Sequence, residues 1–340
     1  MNKKRVLSGI RATGRLHLGN YLGAVKGMLA LQDNKEYETL FFVVDLHTMT
    51  TPYDPATLST ATNEIILDYL ASGLDPKISA IFVQSDLADL HTQLMFYVST
   101  SVSIARMQHL PTFKDKVKQH PKGVTMALLN YPILMAADIL IYKASKVPVG
   151  IDQEPHLEIA REIARKMNSL YGLDFPEPTR FATKGEYIPS LTGEGKMSKS
   201  VEGSFINLTD DLDTIKKHLA SAPTDSGQED KVPSVGGVAN LLTFVELFQG
   251  TDKKKEYEKQ YTGTGIRYGD LKAELAEAIF EELKPIQAKR KEFESDPKRV
   301  RQILDEGAQK ARIIASATIK EVKSAMGLKQ LETHSWSGLG

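Results

Sequence analysis

Leu40-Phe41-Phe42-Val43-Val44 is apolar at every position, and the run stops at the polar Asp45. A strand that is apolar on both faces must be covered on both faces, which calls for helices above and below a parallel sheet. Comparable short segments, Val6–Leu7, 78–83 and 146–150, read as further strands. The first enters a turn-like Ser8-Gly9 and a glycine-containing loop through Gly14. Between the strands apolar residues recur at helical spacing. Leu18, Leu22, Val25, Met28 and Leu29 mark a helix over 18–31, and 61–70, 88–109 and 133–145 follow. A helix over 157–167 comes next, with Pro155 suited to its first turn.

This alternation predicts an α/β chain whose first part is a Rossmann-like parallel sheet. Ligands of such sheets lie at the carboxyl ends of the strands. Segments 8–17, 45–47 and 150–153 therefore should converge on one cleft, their joint placement outweighing the reading of each as an ordinary turn. From Leu208 the pattern becomes helical, over 210–219, 238–247, 271–280 and 300–326, with 221–237 as an irregular connection. A length of 340 residues suits two domains. The expected boundaries are 1–205 for the sheet domain and 206–330 for the mainly helical one, whose last helix is free to return to the first domain. Residues 331–340 read as a loose tail, and its Trp336 is assigned no role.

Composition excludes several classes of function. With 43 basic and 43 acidic residues the formal net charge is zero, so the chain is no general polyanion binder, and any nucleic-acid surface has to be local. Between Lys284 and Lys320 basic residues outnumber acidic ones ten to five, which suits a nucleic-acid backbone and suits a solvated helical face almost as well. The absence of cysteine removes disulfides, thiolate catalysis, cysteine-ligated zinc and iron–sulfur clusters. The segment before Ser8-Gly9 is too short for a signal peptide, and the longest apolar stretches, 41–44 and 133–137, cannot span a bilayer. The expectation is a cytoplasmic protein without membrane or DNA contact.

Two short signatures carry nucleotide chemistry. His17-Leu18-Gly19-Asn20 sits where a strand breaks into a helix, and a helix N-terminus favours phosphate. Gly19 leaves the backbone open to an adenine or ribose, His17 can donate to a phosphoryl oxygen, and Asn20 offers an uncharged hydrogen bond. Lys196-Met197-Ser198-Lys199-Ser200 lies in a loop framed by Gly193 and Gly195. Its two ammonium groups can meet the β- and γ-phosphates of ATP, with greatest effect as charge grows on departing pyrophosphate. Lys114 and Lys116, on what reads as a loop after Pro111-Thr112-Phe113, are further phosphate candidates or merely solubilising residues.

The other end of the cleft is marked by Asp138, a carboxylate within the apolar run Tyr131-Pro132-Ile133-Leu134-Met135-Ala136-Ala137-Asp138-Ile139-Leu140. An unpaired buried carboxylate costs several kcal/mol or more, so Asp138 needs a donor. On a helix starting near Ile133, Met135, Asp138 and Tyr142 share a face, with Tyr131 at its edge. A flat apolar ligand with one N–H matches, indole better than phenol; a protein donor would satisfy Asp138 equally. Gly150-Ile151-Asp152-Gln153 follows the last strand. Gln153 can hold an α-ammonium, and Asp152 can take ribose hydroxyls or position Gln153. His156 one turn later reads as a cap or packing residue, and His47 points into the cleft. The histidines are not spaced as a zinc set.

With these residues in place, the chain resembles the bacterial-type tryptophanyl-tRNA synthetases, within the class I aminoacyl-tRNA synthetases. Gly9-Ile10-Arg11-Ala12-Thr13-Gly14 matches the family's opening loop, and His17–Asn20 its first ATP signature. Tyr131–Asp138, Val147–His156 and the Lys196–Ser200 loop match the remaining motifs, and the likeness runs from Leu7 to about Met326.

The resemblance implies activation of L-tryptophan by ATP with Mg²⁺, transfer to tRNA(Trp), and a homodimer. It assigns Asp138 to the indole N–H, Met135 to the ring, and Tyr131 and Gln153 to the amino group, with Leu7 and His47 also at the tryptophan site. ATP falls to Arg11, Ala12, Thr13, His17, Gly19, Asn20, Gly150, Ile151, Asp152, Lys196, Met197, Ser198 and Lys199. His17, Asn20, Lys116, Lys196 and Lys199 are the catalytic set. Ala12 stands where relatives have proline, and Leu7 where many have an aromatic residue. A tyrosyl-tRNA synthetase, a nucleotidyltransferase without tRNA activity and a non-catalytic RNA module are the competing readings; amino-acid-dependent pyrophosphate exchange separates the first, and RNA binding without adenylate formation would mark the last.

Overall fold

The computed structural model describes residues 3–119, 121–182, 187–199 and 201–328. Ser200 and the expected tail with Trp336 lie outside the described residues. Five parallel strands form one sheet in the order β3-β2-β1-β4-β5: β1 (Lys4–Ile10), β2 (Tyr37–Val43), β3 (Ala80–Val83), β4 (Lys146–Val147) and β5 (Thr179–Arg180). The β1–β2 register runs from Lys4 against Tyr37 to Ile10 against Val43, and Val6 meets Lys146 on the other side. The chain therefore steps from β1 outward to β3 and returns across β1 to β4. That reversal opens a crevice at the carboxyl ends of β1 and β4, where open α/β sheets bind ligands.

β1 extends further than its sequence suggests. Ser8 and Gly9 do not turn but pair with Phe41 and Phe42. Side chains of the strands alternate between two apolar clusters, as a period of two requires. Leu7, Leu40, Phe42 and Phe82 face one; Phe41, Val43, Ile81 and Val83 face the other.

Helices cover both faces. α1 (Leu18–Asn20), a wide π-type turn over Tyr21–Val25 and α2 (Lys26–Gln32) replace the single helix expected over 18–31. Such turns are frequent at functional sites. α3 (Asp45–Thr48) and α4 (Pro55–Ala71) follow β2. Asp54 caps α4 by accepting from the N–H of Ala56 at 3.0 Å. Between β3 and β4 lie α5 (Ala88–Ser99), α6 (Ile104–Gln108), α7 (Pro111–Gln119) and α8 (Met126–Ile141). α8 begins well before Ile133, capped by Thr125, and carries Pro132 inside it. α9 (Glu154–Tyr171) ends on Gly172 in the left-handed region, φ 66°.

The remaining helices are α10 (Leu212–Ser221), α11 (Gly237–Gln249), α12 (Thr251–Tyr261), α13 (Tyr268–Ser295) and α14 (Pro297–Ala325). Apolar residues of α10, α11 and α13 share one cluster with α4 and the sheet, with no break between them. Arg290 of α13 is buried, in contact with the Asp68 carboxylate of α4 and 2.6 Å from Glu64 Oε2. Asp68 Oδ2 in turn accepts from the N–H of Leu16 at 2.6 Å, so α13 braces the loop that leads to His17. Burial pushes the Asp68 carboxyl up to about 6, against the opposing pull of Arg290 and that N–H.

α14 crosses back to the sheet, its Ala311, Ala315, Ile319 and Val322 lying in the cluster of α5, α8 and α9. It lies against the edge strand β3, which a covering helix protects from further pairing. The approach is possible because residue 307 is glycine: a β-carbon there would fall 1.9 Å from the Ile81 carbonyl oxygen. Gly307→Ala is expected to cost about 3 kcal/mol or more. The check is a lower urea midpoint at unchanged slope; an unchanged midpoint would show that the helix can shift without penalty.

Candidate active site

A cavity of about 480 Å³ opens at the β1/β4 crevice, within the range of small-molecule sites. Leu7, Arg11, His47, Lys116, Tyr131, Met135, Asp138, Asp152 and Gln153 all line it, joined by Phe42, Thr112, Val147, Val149 and His156. One wall is thus the end of β1, another α8, and the rim the turn that starts α9. Gly150 and Ile151 are not part of this lining, and Ile151 is exposed. Lys116 is not on a loop. It sits on α7, half-buried, with Nζ 3.0 Å from Gln119 Oε1. Its pKa is lowered by burial and then by the nearby Arg11 guanidinium.

Asp138 is the buried floor of this cavity, and the protein supplies the donors it needs. His91 Nδ1 stands 2.6 Å from Oδ1 and His47 Nε2 2.8 Å from Oδ2. Gln84 Nε2 bridges both oxygens at 2.8 and 2.9 Å. Burial alone would raise the Asp138 pKa, but the bonds from His47 and His91 overcome it and hold the group down to about 2. An ionised carboxylate only accepts, so both imidazoles must turn a protonated nitrogen toward it. His91 Nε2 lies 2.8 Å from the Tyr142 hydroxyl. Of the three donors, His91 and Gln84 are fully buried, whereas His47 lines the cavity and is partly accessible.

At the other end of the cavity Gln153, Tyr131 and Thr112 gather round His156. Tyr131 Oη and Thr112 Oγ1 lie 2.9 and 3.0 Å from its Nε2, and Gln153 Oε1 lies 2.9 Å from its Nδ1. Gln153 Nε2 donates to Asp152 Oδ2 at 2.7 Å. Burial lowers the His156 pKa to about 4, with the neighbouring His47 adding to the effect and Asp152 opposing it, which leaves the ring neutral at pH 7.

The nucleotide signatures meet beside this cavity. The loop of Lys196–Lys199 is laid on α1: the N–H of Gly19 points at Met197 Sδ, 3.2 Å away. Gly19 is buried rather than open, because the space of its missing side chain is taken by the His17 ring and the Met197 side chain. The N–H of His17 donates to Asn20 Oδ1 at 3.3 Å. Burial, followed by the charges of Lys199 and Lys196, lowers the His17 pKa to about 4, so the imidazole is neutral; its buried Nδ1 has no hydrogen-bond partner among the described residues.

Lys199 is folded onto the Thr13 carbonyl at 3.0 Å, and burial lowers its pKa to about 8 against the pull of Asp68 and Glu64. Lys196 is exposed and Ser198 half-buried. Arg11, Ala12 and Thr13 border an adjoining groove of about 650 Å³, where the N–H of Ala12 donates to Thr48 Oγ1 at 3.0 Å.

The sequence reading passed over Gln84, His91 and Thr112. Gln84 directly follows β3, so the strand-end rule that singled out His47 also applies to it. His91 lies within α5 and gives no such signal. Of the basic residues in 284–320, Arg290 is buried and Arg312 pairs with Asp89 at 2.8 Å. That positive excess is in part structural.

Residues 1–284 match the family model described as tRNA synthetases class I (W and Y). The tryptophan–tRNA ligase of Helicobacter pylori is 45% identical over 334 residues, covering 96% of this chain and 100% of the relative. That of Porphyromonas gingivalis is 39% identical over 330 residues, covering 95% and 99%. Among solved structures, a tryptophanyl-tRNA synthetase from Campylobacter jejuni complexed with ADP and tryptophan superposes with a TM-score of 0.83 at 33% identity. It covers 95% of this chain and 99% of its own. With its signatures packed together at the switch point of a parallel sheet, the chain belongs to the class I tRNA synthetases of the tryptophan and tyrosine group.

Proposed function

We propose that this chain activates L-tryptophan with ATP to tryptophanyl-adenylate, releasing pyrophosphate, and transfers the acyl group to tRNA(Trp), releasing AMP. The observation that carries the choice of amino acid is the buried, ionised Asp138 at the floor of an apolar cavity, flanked by Met135 and the exchangeable donor His47. An indole N–H reaches Asp138 Oδ2 by sharing it with, or displacing, His47. The ring then lies between Leu7, Phe42, Val147 and Met135. The tryptophan-named relatives along nearly the whole chain support the same choice.

In this reading Tyr131 and Gln153 hold the α-ammonium, and Asp152 faces the adenylate ribose. Chemistry at the α-phosphate requires alignment and charge compensation rather than a side-chain nucleophile. His17 and Asn20 hold the nucleotide with Arg11, Ala12, Thr13, Gly150 and Ile151, and Gly19 joins them once Met197 lifts from its N–H. Lys196, Met197, Ser198 and Lys199 close over its phosphates, and Lys116 approaches from α7. Mg²⁺ enters with ATP. The helical unit over 206–330 holds the anticodon region of the tRNA, the active assembly is a homodimer, and the enzyme works in the cytoplasm. Among the described residues no helix is long and apolar enough to cross a membrane.

Pyrophosphate exchange measured with each of the twenty amino acids tests this function. Tryptophan should support exchange at least about 10²-fold better than tyrosine, the scale on which a site built round a hydrogen bond discriminates. Exchange with tyrosine and none with tryptophan would reject the reading.

A further inference from the structure

Hydrogen-bond direction around His156 can be followed atom by atom. Asp152 has a carboxylate, which only accepts, so the Gln153 group 2.7 Å from Oδ2 is the amide nitrogen, and the amide oxygen faces His156. An amide oxygen also only accepts. The proton of the neutral imidazole is therefore on Nδ1, and Nε2 is bare. A bare Nε2 accepts a hydrogen bond from the Tyr131 hydroxyl at 2.9 Å, and Thr112, 3.0 Å from the same nitrogen, in turn donates to Tyr131. The Tyr131 ring packs edge-on against the imidazole, centroids 5.2 Å apart, which fixes the hydroxyl at that nitrogen. His156 itself is 3% exposed and sits in the first turn of α9, so packing as well as hydrogen bonds holds its ring in place.

The consequence lies on the cavity side. Tyr131 directs its only O–H proton at His156, which leaves its oxygen to act toward a ligand only as an acceptor. Gln153 keeps a second lone pair on Oε1. Both residues line the cavity, and each keeps an unused acceptor lone pair. We propose that His156 is a positioning residue that sets this polarity, so that the amino-acid end of the cavity accepts an ammonium group and rejects a ligand that brings only acceptors. The inference rests on the reading that the cavity takes an aromatic amino acid. It extends that reading by naming the residue that makes the cavity selective for the α-ammonium.

The test compares binding, by titration calorimetry, of L-tryptophan and of indole-3-propionate, which keeps the ring and carboxylate and lacks the amino group. His156→Ala should weaken tryptophan about 10- to 100-fold and leave indole-3-propionate within about threefold. His156→Asn keeps a donor near Gln153, and His156→Gln keeps an acceptor near Tyr131. Each should fall between wild type and His156→Ala, and both carry the test if His156→Ala does not fold. In exchange assays the KM for tryptophan should rise while that for ATP holds. Equal weakening of both ligands, or no weakening of tryptophan, overturns the proposal. If the wild-type protein binds tyrosine instead of tryptophan, the tryptophan reading has failed; tyrosine and 3-(4-hydroxyphenyl)propionate then supply the same comparison for His156.

Discussion

Asp138→Asn is expected to lower kcat/KM for tryptophan in pyrophosphate exchange by about 10²- to 10³-fold while the KM for ATP stays within about threefold. The substitution preserves shape, yet turns one acceptor oxygen into a donor facing donors. His91 Nδ1, His47 Nε2 and Gln84 Nε2 all point hydrogens at this carboxylate, at 2.6 to 2.9 Å. With a carboxamide at 138, one of them loses its acceptor, and no anionic oxygen is left for the indole N–H. Asp138→Ala is a poorer probe. It strands all three donors in a buried site, for which a destabilisation of about 3–5 kcal/mol is expected, and a collapsed fold would lower every rate alike. Equal losses toward tryptophan and ATP in the Asn variant would mark Asp138 as structural.

The second large effect belongs to Lys199. Lys199→Ala should reduce kcat about 10²- to 10³-fold with the KM for tryptophan unchanged, since the ammonium acts on charge that develops at the departing phosphates. A pH signature accompanies it. Burial lowers the Lys199 pKa to about 8, and Asp68 and Glu64 only partly offset this. The cation is the working form and is lost by deprotonation as pH rises. In the wild type, kcat/KM for ATP, which reports the free enzyme, should therefore fall as pH passes upward through about 8. In Lys199→Arg that falling limb should vanish from the range below pH 10, because a guanidinium stays protonated there. A limb that persists at the same pH in the Arg variant assigns it to another group.

The parallel sheet and its cleft were legible because fully apolar strands and strand-end polar residues are local signals. Leu40–Val44 announced a strand covered on both faces, and His47, Asp138, Asp152 and Gln153 do line one cavity. Local pattern failed where the decisive contact is distant in sequence. Ser8-Gly9 has turn composition, yet its pairing partners at 41 and 42 keep it extended. Tyr131-Pro132 looks like a helix start, but the Thr125 cap begins α8 earlier. Lys116 looked exposed on a loop because Pro111 reads as a break, whereas it is the first residue of α7.

The need of Asp138 for a donor was plain from its apolar surroundings; the identity of the donors was not, since His47, Gln84 and His91 come from three different elements. The contact of Arg290 with Asp68 spans 222 positions and has no periodic trace. Gly307 reads as a mild helix defect and shows its purpose only beside the Ile81 carbonyl.

A crystal structure of the protein soaked with L-tryptophan tests the central claim most directly. The account requires the indole nitrogen within about 3 Å of a carboxylate oxygen of residue 138, with the imidazole of residue 47 moved from its present 2.8 Å contact or sharing that oxygen. An amino acid seated elsewhere, with all three protein donors still closed on that carboxylate, would contradict it.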